Sequence, residues 1–293
     1  MPTPRDRVVT LPQVRLFTRT VGRGEPLLVL HGGPALSHGY LLPGLLPLAE
    51  SARLVFFDQR GCGRSTKPQD GRYDTATLAA DVEGVRQSLR LGRVNVFGFS
   101  FGGALAQEYA LRYPRAVRRL IIAGCGPSSA DLNRRLKEVK AAAPARVRAV
   151  VDRYEAQGPF TGAAYPAEYA AAADEAYRPY SFHRLSAPPP EVAEVLGHLA
   201  FDVYREIWGD RGEFQVTGAW RDWDRLADLS GLAMPTLILV GRYDLTPVAT
   251  AEAMGRRIPQ SRVVVFEESG HFMYLEEPEK FLNEVRAFLR SSA

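Results

Sequence analysis

Short, nearly continuous runs of apolar residues alternate along this chain with longer stretches that carry apolar residues every three or four positions. The continuous runs lie at 27–30, 53–57, 94–97, 120–123 and 236–240. Such runs are typical of strands buried on both faces of a parallel sheet. A further strand is predicted at 262–266, and the alternation of apolar and polar residues over 7–22 predicts an antiparallel hairpin.

Helical spacing fills the segments between these strands. In one of them, Leu78, Val82, Val85 and Leu89 share a single helix face. The predicted helices cover 39–50, 75–91, 101 to about 113, 249–257 and 278–289. Alternating strands and helices indicate a doubly wound, mostly parallel α/β sheet.

The character of the chain changes between Gly126 and Leu232. This stretch is rich in alanine and arginine, has a helical pattern and contains no buried-type strand, and prolines interrupt it. We therefore predict an α/β core formed by residues 1–125 and 233–293, with an inserted helical cap at 126–232 that closes over the carboxyl ends of the strands.

The composition and charge of the chain exclude some classes of function but do not identify one. A net charge of +4 over 293 residues, with no basic stripe, gives no indication of nucleic-acid binding. No run of about 18 apolar residues is present, so no membrane span is expected, and Met1 to Leu16 lacks the apolar core of a signal peptide. With neither a signal peptide nor a membrane span, we expect a cytoplasmic protein. Cys62 and Cys125 fit neither a disulfide framework nor a metal site and are expected to be buried. The oligomeric state is left open.

The sequence Gly98-Phe99-Ser100-Phe101-Gly102 is the candidate reactive centre. It joins an apolar strand run to a helical run of small residues, which is the context in which Gly-x-Ser-x-Gly forms a nucleophile elbow. A serine hydroxyl needs a neighbouring base to become a nucleophile. Ser100 is therefore predicted to be the nucleophile, provided that a base and an acid follow later in the chain.

Two later loops provide these partners. His271 follows the last predicted strand and is the candidate base, and Asp244 follows the preceding strand and is the candidate carboxylate that orients it. The chain order Ser–Asp–His is that of α/β hydrolases. His31 opens the loop after its own strand and is expected to hydrogen-bond locally. The three other histidines are expected to be ordinary surface or core residues without a catalytic role: His38, His183 and His198.

An acyl-transfer site also needs donors for the developing oxyanion. The backbone N–H of Phe101 directly follows the nucleophile, and Gly33 lies in the flexible sequence His31-Gly32-Gly33-Pro34. We expect these two N–H groups to form the oxyanion hole. No metal-ligand pattern is present, and neither a metal nor another cofactor is expected.

Together these motifs resemble the α/β-hydrolase superfamily over nearly the whole chain, and within it the proline iminopeptidases, which include the tricorn-interacting aminopeptidases. The most specific match is the sequence from Asp58 to Ser65, Asp-Gln-Arg-Gly-Cys-Gly-Arg-Ser, and the segment 212–218 followed by Trp223-Asp224 also resembles that family's cap. The resemblance implies a serine hydrolase that releases an N-terminal residue, preferring proline, from short peptides.

The resemblance also implies that a cap glutamate binds the substrate's free amine, and Glu213 occupies that position. A salt bridge between Glu213 and a nearby arginine is the alternative. Some members carry a second glutamate after the catalytic aspartate, where this chain has Leu245. An apolar residue there weakens the expected amine site. Trp208, Trp220 and Trp223 are expected either to line an apolar pocket or to pack the cap on the core.

Three hypotheses follow. The first is a proline iminopeptidase-like aminopeptidase acting on small peptides. The second keeps the same chemistry but applies it to an ester, amide or lactone with no requirement for a free amine, which Leu245 favours. The third is a catalytically silent binding module, which the complete Ser–Asp–His set argues against.

Overall fold

Residues 3–291 are described by a computed structural model of the chain. Eight strands form one sheet in the order β1-β2-β4-β3-β5-β6-β7-β8. The strands are β1 (Arg5–Thr10), β2 (Arg15–Val21), β3 (Pro26–Leu30), β4 (Arg53–Phe57), β5 (Val94–Phe99), β6 (Val117–Ala123), β7 (Thr236–Gly241) and β8 (Ser261–Phe266).

The pairing of these strands confirms the predicted sheet. β1 and β2 form an antiparallel hairpin, and β2 also pairs antiparallel with β4. All other neighbours pair in parallel. The carboxyl ends of β3 to β8 therefore meet at a single edge of the sheet, and the loops that carry the candidate residues leave from that edge.

Eleven α-helices accompany the sheet in the described part of the chain. They are α1 (Leu42–Leu45), α2 (Thr75–Ser88), α3 (Phe101–Arg112), α4 (Ser129–Ala142), α5 (Ala145–Glu155), α6 (Ala167–Ser181), α7 (Pro190–Leu196), α8 (Phe201–Ile207), α9 (Val248–Arg257), α10 (Met273–Glu276) and α11 (Pro278–Arg290).

The prediction of one continuous helix over 39–50 is wrong. A 3₁₀ turn (His38–Leu41), the short helix α1 and a second 3₁₀ turn (Leu46–Glu50) replace it. Pro43 and Pro47 each stand at the start of a new segment. Because proline has no N–H to donate to the preceding turn, each one interrupts the hydrogen-bond ladder.

The core explains why the strand runs lack polar residues. On β3, Leu28 and Leu30 pack into one hydrophobic layer, while Leu27 and Val29 pack into a second layer on the opposite face. Side chains alternate between the faces of a strand. Since both faces are covered, every position must be apolar.

Helices α4 to α8 lie between β6 and β7 in the chain. The two ends of this insertion are neighbours, because Arg225 N–H donates to Pro127 O at 2.9 Å and Ser128 pairs with Asp224 in an isolated bridge. The buried Glu108 carboxylate on α3 accepts hydrogen bonds from Arg225 Nε (2.7 Å) and Trp223 Nε1 (3.2 Å). These contacts fix both ends of the insertion to the sheet layer.

Among residues 3–291, none of the helices combines the length and the apolar character that crossing a membrane requires.

Candidate active site

Ser100 stands at a tight turn between β5 and α3, with φ 56° and ψ −127°. A non-glycine residue in this region of backbone space is strained. The turn depends on two close backbone approaches: a Cβ on Gly98 would lie 2.2 Å from Gly102 O, and a Cβ on Gly102 would lie 2.1 Å from Leu30 O. The two glycines thus let strand and helix meet closely enough to present Ser100 at the edge of the sheet.

Asp244 and His271, predicted from separate loops, lie together. His271 Nδ1 is 2.8 Å from Asp244 Oδ1, and the Asp244 side chain is fully buried. The backbone N–H of Thr246 also donates to Oδ1 at 3.0 Å. A carboxylate held in this way favours the His271 tautomer that carries its proton on Nδ1, which leaves Nε2 free to accept a proton.

Ser100 and His271 line the same cavity. Asp244 and His271 are in direct contact, whereas no hydrogen bond joins Ser100 Oγ to His271 within residues 3–291. Such bonds are often long in a free enzyme and tighten with substrate bound.

The loop after β3 carries Gly33, whose φ is 122°. Neither the Gly33 N–H nor the Phe101 N–H donates a hydrogen bond to another group in the described residues, and both residues line the cavity. Phe101 is also the first residue of α3, where the positive end of the helix dipole favours a negative charge. The two predicted oxyanion donors are therefore available to a ligand.

Three side chains hold this loop. His31 Nε2 accepts the Gln59 N–H at 3.0 Å, so Nδ1 carries the proton and donates to Gly32 O at 3.0 Å. The Gln59 side-chain amide donates to His31 O at 2.6 Å, and Gly32 N–H donates to the Tyr40 hydroxyl at 2.7 Å. Burial lowers the pKa of His31 to about 4, so the ring is neutral. Its predicted local hydrogen bonding is confirmed.

The cavity has a volume of about 550 Å³ and lies between the carboxyl edge of the sheet and the inserted helices. This size suits a small substrate. The sheet side contributes Ser100, Gly33 and His271, and the insertion contributes Tyr177 from α6, Tyr204 from α8, and Trp208, Glu213 and Trp220 from the segment after α8.

Glu213 has an unusual environment. The Tyr204 hydroxyl donates to its carboxylate at 2.8 Å, the Tyr177 hydroxyl donates to its backbone O at 2.6 Å, and its own N–H donates to the Tyr169 hydroxyl at 2.7 Å. Burial raises the pKa of Glu213 to about 7, against the opposing effect of the Tyr204 hydrogen bond. Glu213 forms no ion pair among the residues that the structure describes, so the alternative of an arginine partner is wrong.

Leu245 lines the same cavity. Its backbone O accepts a hydrogen bond from Arg135 Nε at 3.2 Å, and Arg135 also pairs with Glu138. Of the three tryptophans, Trp208 and Trp220 line the cavity. Trp223 instead packs beside Glu108 at the neck of the insertion, where its two ends meet. Both expectations for the tryptophans thus hold, each for different residues.

Cys62 and Cys125 are free and buried, as expected. Burial raises the pKa of each thiol well above its usual range, so neither is a thiolate. Within the described ranges no group of three His, Cys, Asp or Glu side chains could hold a metal ion.

The sequence did not point to three groups that contact the site: Tyr40, the tyrosines around Glu213, and Glu276, which accepts the N–H of Gly270 beside His271. Tyr40 is eight positions from the glycine that it contacts, and no motif joins them. Glu276 precedes a proline-initiated helix, where an acidic residue is ordinary. The tyrosines lie on α6 and α8, and only the fold brings them to Glu213.

The family of the chain follows from comparison with known proteins. A family model described as the alpha/beta hydrolase fold matches residues 25–278. The chain is 34% identical to the proline iminopeptidase of Saccharolobus solfataricus, with 92% of this chain and 86% of that protein covered. It is 33% identical to the proline iminopeptidase of Heyndrickxia coagulans, with 92% of each covered. The chain belongs to the proline iminopeptidase family of α/β hydrolases.

Solved structures agree with this family assignment. The crystal structure of VinJ superimposes with a TM-score of 0.88 at 28% identity, and the two chains are covered completely. The proline iminopeptidase of Mycobacterium smegmatis superimposes with a TM-score of 0.83 at 29% identity, with 97% of each chain covered. As a member of this family the protein is a hydrolase with the predicted α/β-hydrolase fold.

Proposed function

We propose that this hydrolase is a serine aminopeptidase that releases an N-terminal residue, preferably proline, from short peptides. The observation that carries the proposal is Glu213: a half-buried carboxylate that pairs with no cation among residues 3–291, on the wall of the cavity that also contains Ser100. Taking a carboxylate even partly out of water is costly unless it is paired. The ammonium group of a bound peptide supplies the missing partner.

In the proposed reaction, Ser100 Oγ attacks the carbonyl carbon of the first residue while His271 Nε2 takes the hydroxyl proton. Asp244 stabilises the imidazolium that forms, through the 2.8 Å contact. The carbonyl oxygen becomes an oxyanion and accepts hydrogen bonds from the Gly33 and Phe101 N–H groups.

The C–N bond then breaks. His271 returns its proton to the departing amine of the shortened peptide, and the first residue remains as an ester on Ser100. Water, deprotonated by His271, attacks this ester, so the free amino acid leaves and the Ser100 hydroxyl is restored. No cofactor takes part in either half of the reaction.

The inserted helices act in this proposal as the cap, with residues 126–232 covering the core formed by 1–125 and 233–293. What supports this division is the neck at Pro127 and Arg225 and the share of the cavity wall that the insertion contributes. We further propose a cytoplasmic location for the enzyme, which the two unpaired thiols support.

An esterase, amidase or lactonase without amine specificity is the second candidate. Leu245 favours it, because an apolar side chain stands where some relatives offer a second carboxylate. The chemistry at Ser100 would be the same, and only the requirement for a free amine would differ.

Three substrates separate the two candidates: a prolyl arylamide, its N-acetylated form and a short-chain aryl ester. Ser100→Ala serves as the blank, and its activity on every substrate should fall by at least 10³-fold because the nucleophile is absent. A loss of less than tenfold would reject the mechanism. Turnover of the prolyl arylamide that disappears on acetylation would support the aminopeptidase. Ester turnover with no response to the free amine would identify the second candidate.

A further inference from the structure

The loop that carries His271 is hydrogen-bonded directly to the inserted segment at the end of α6. His271 N–H donates to Tyr180 O at 2.7 Å, and Phe272 N–H donates to Ser181 O at 3.2 Å. The Phe182 ring stacks on the Phe272 ring, with centroids 4.7 Å apart and planes within 9°. The backbone position of His271 therefore depends on residues 180–182 at the end of α6.

The contact between this loop and the end of α6 is especially close at Gly270. A Cβ on Gly270 would lie 2.7 Å from Tyr180 O and 2.8 Å from Ser181 O, so no other residue fits there without moving the two segments apart. This glycine immediately precedes His271. Any change in the separation of the segments is thus transmitted directly to the imidazole.

One buried carboxylate fixes this separation. Glu276 Oε1 accepts the backbone N–H groups of His183 (2.8 Å), Arg184 (2.5 Å) and Leu185 (3.0 Å). Its other oxygen, Oε2, accepts the Gly270 N–H at 2.7 Å. Glu276 is only 5% exposed. The two oxygens of one rigid group thus connect the inserted segment to the residue before His271.

Such an arrangement is strong and specific. Hydrogen bonds to a charged acceptor are about twice as strong as neutral ones. Removal of the acceptor would leave four N–H donors without this partner, and the Gly270 N–H among them is buried, so the loss of its partner costs more than its bond contributes. The arrangement therefore resists any motion that separates residues 183–185 from Gly270.

We propose that Glu276 is a positioning residue for the reaction: it holds His271 in position to act as the base by joining the inserted segment 183–185 to loop 270–272. The inference rests on the proposed function, because His271 must be the base. Glu276 does not line the cavity, so it acts only through the loop. It follows that substrate enters without separation of segment 180–185 from loop 270–272.

The test compares Glu276→Gln with Glu277→Gln. Glu277 is a matched control because its Oε2 accepts the Glu268 N–H (3.0 Å) and the Ser269 hydroxyl (2.6 Å) of the same loop, while no hydrogen bond joins it to residues 180–185. Glu276→Gln replaces one of the two carboxylate oxygens by an amide NH₂. This group cannot accept a hydrogen bond from the N–H donors that it faces, which are either those of residues 183–185 or that of Gly270. The readouts are the rate of labelling of Ser100 by a fluorophosphonate, and kcat and KM for the prolyl arylamide.

We expect Glu276→Gln to lower the labelling rate and kcat by about 10²-fold with little change in KM, because a displaced base slows the chemical step. Glu277→Gln should stay within about threefold of the wild type. Glu276→Asp, which keeps the charge but shortens the reach, should recover part of the loss. Equal labelling of Glu276→Gln and wild type would overturn the positioning role alone. A wild-type enzyme that is never labelled would reject the proposed mechanism and this role with it.

A measurement on the wild type covers the case in which the variants do not fold. Native-state hydrogen exchange gives an opening free energy for each amide. If Glu276 joins the segments, the amides of Gly270, Arg184 and Leu185 should open together with one free energy across a denaturant series. Independent opening of Gly270 and residues 184–185 would overturn the proposal.

Discussion

The hydroxyl of Tyr40 accepts the backbone N–H of Gly32 at 2.7 Å, one residue before the proposed oxyanion donor Gly33. Tyr40 is buried and belongs to the cavity wall. The Gly33 N–H belongs to the peptide bond between Gly32 and Gly33, and the φ of Gly33 is 122°. The direction of this N–H therefore depends on how Gly32 is held. Tyr40 therefore orients the oxyanion loop from outside the motif that defines it.

Tyr40→Phe should lower kcat about tenfold on both the prolyl arylamide and the aryl ester, with KM unchanged. Full loss of an oxyanion donor costs about 10²–10³ in rate, and misorientation of one donor costs part of that. Tyr274→Phe is the matched control, because the Tyr274 hydroxyl donates to the backbone O of Tyr40 and not to the loop. A Tyr40→Phe enzyme as fast as that control would contradict the role.

Glu213→Gln should raise KM for the prolyl arylamide by 10-fold or more while leaving ester hydrolysis within about threefold. The variant keeps the size of the side chain and removes the charge that pairs with the substrate's ammonium. Parallel steady-state kinetics on the two substrates check this. An equal loss on both would assign Glu213 to structure and not to amine binding.

The pH profile should differ between the same two substrates. Burial raises the pKa of Glu213 to about 7, so the carboxylate is charged above that pH and neutral below it. The value of kcat/KM for an amine substrate should therefore rise through pH 7 and fall again as the substrate's amine loses its proton, at about pH 8 for an ordinary α-amine. Glu213→Gln should lose the Glu213 contribution to the acid limb. A wild-type acid limb that is identical for ester and amine substrates would contradict this assignment.

Leu245→Glu should lower KM for the prolyl arylamide by about tenfold. A second carboxylate on the cavity wall adds a charge-assisted contact to the ammonium, and 1.4 kcal/mol corresponds to a factor of ten. Leu245→Gln, which has the same size without the charge, is the control. If Leu245→Glu pairs with Arg135 instead, the two variants will have the same KM, and the apolar residue at 245 will not be what limits amine binding.

Acid should destabilise the fold through His31. The buried ring has a pKa of about 4 in the folded protein, against 6.5 for the free group, so the unfolded chain binds more protons between these values. The free energy of unfolding should thus fall as the pH drops from about 6.5 to 4, by on the order of 3 kcal/mol from this group alone. Urea unfolding at pH 7.5 and pH 4 measures the loss.

A histidine variant provides the control for that measurement. His31→Gln should be less stable than wild type at pH 7.5 and lose less on acidification, since the titrating group is gone. His198→Gln alters an exposed histidine and should leave the wild-type pH dependence in place. Equal acid losses in wild type and His31→Gln would place the sensitivity elsewhere.

Local pattern along the chain was enough to predict most of the architecture. Continuous apolar runs located the parallel strands, because a strand covered on both faces has no position for a polar side chain. Chain order and loop position also singled out Ser100, Asp244 and His271, since the carboxyl ends of parallel strands meet at one edge. The helix over 39–50 was wrong because spacing alone ignored the two prolines.

Contacts between groups distant in the chain could not be predicted in this way, because they depend on the packing of whole elements. The contacts of Tyr40 with Gly32, of Tyr204 with Glu213 and of Glu276 with the inserted segment join residues without any common motif. Hydrophobic periodicity constrains which face of an element is buried, and it carries no information on which polar group a buried donor will meet. That Glu213 has no ion-pair partner within residues 3–291, on which the proposed amine site rests, is therefore a property that only the folded chain shows.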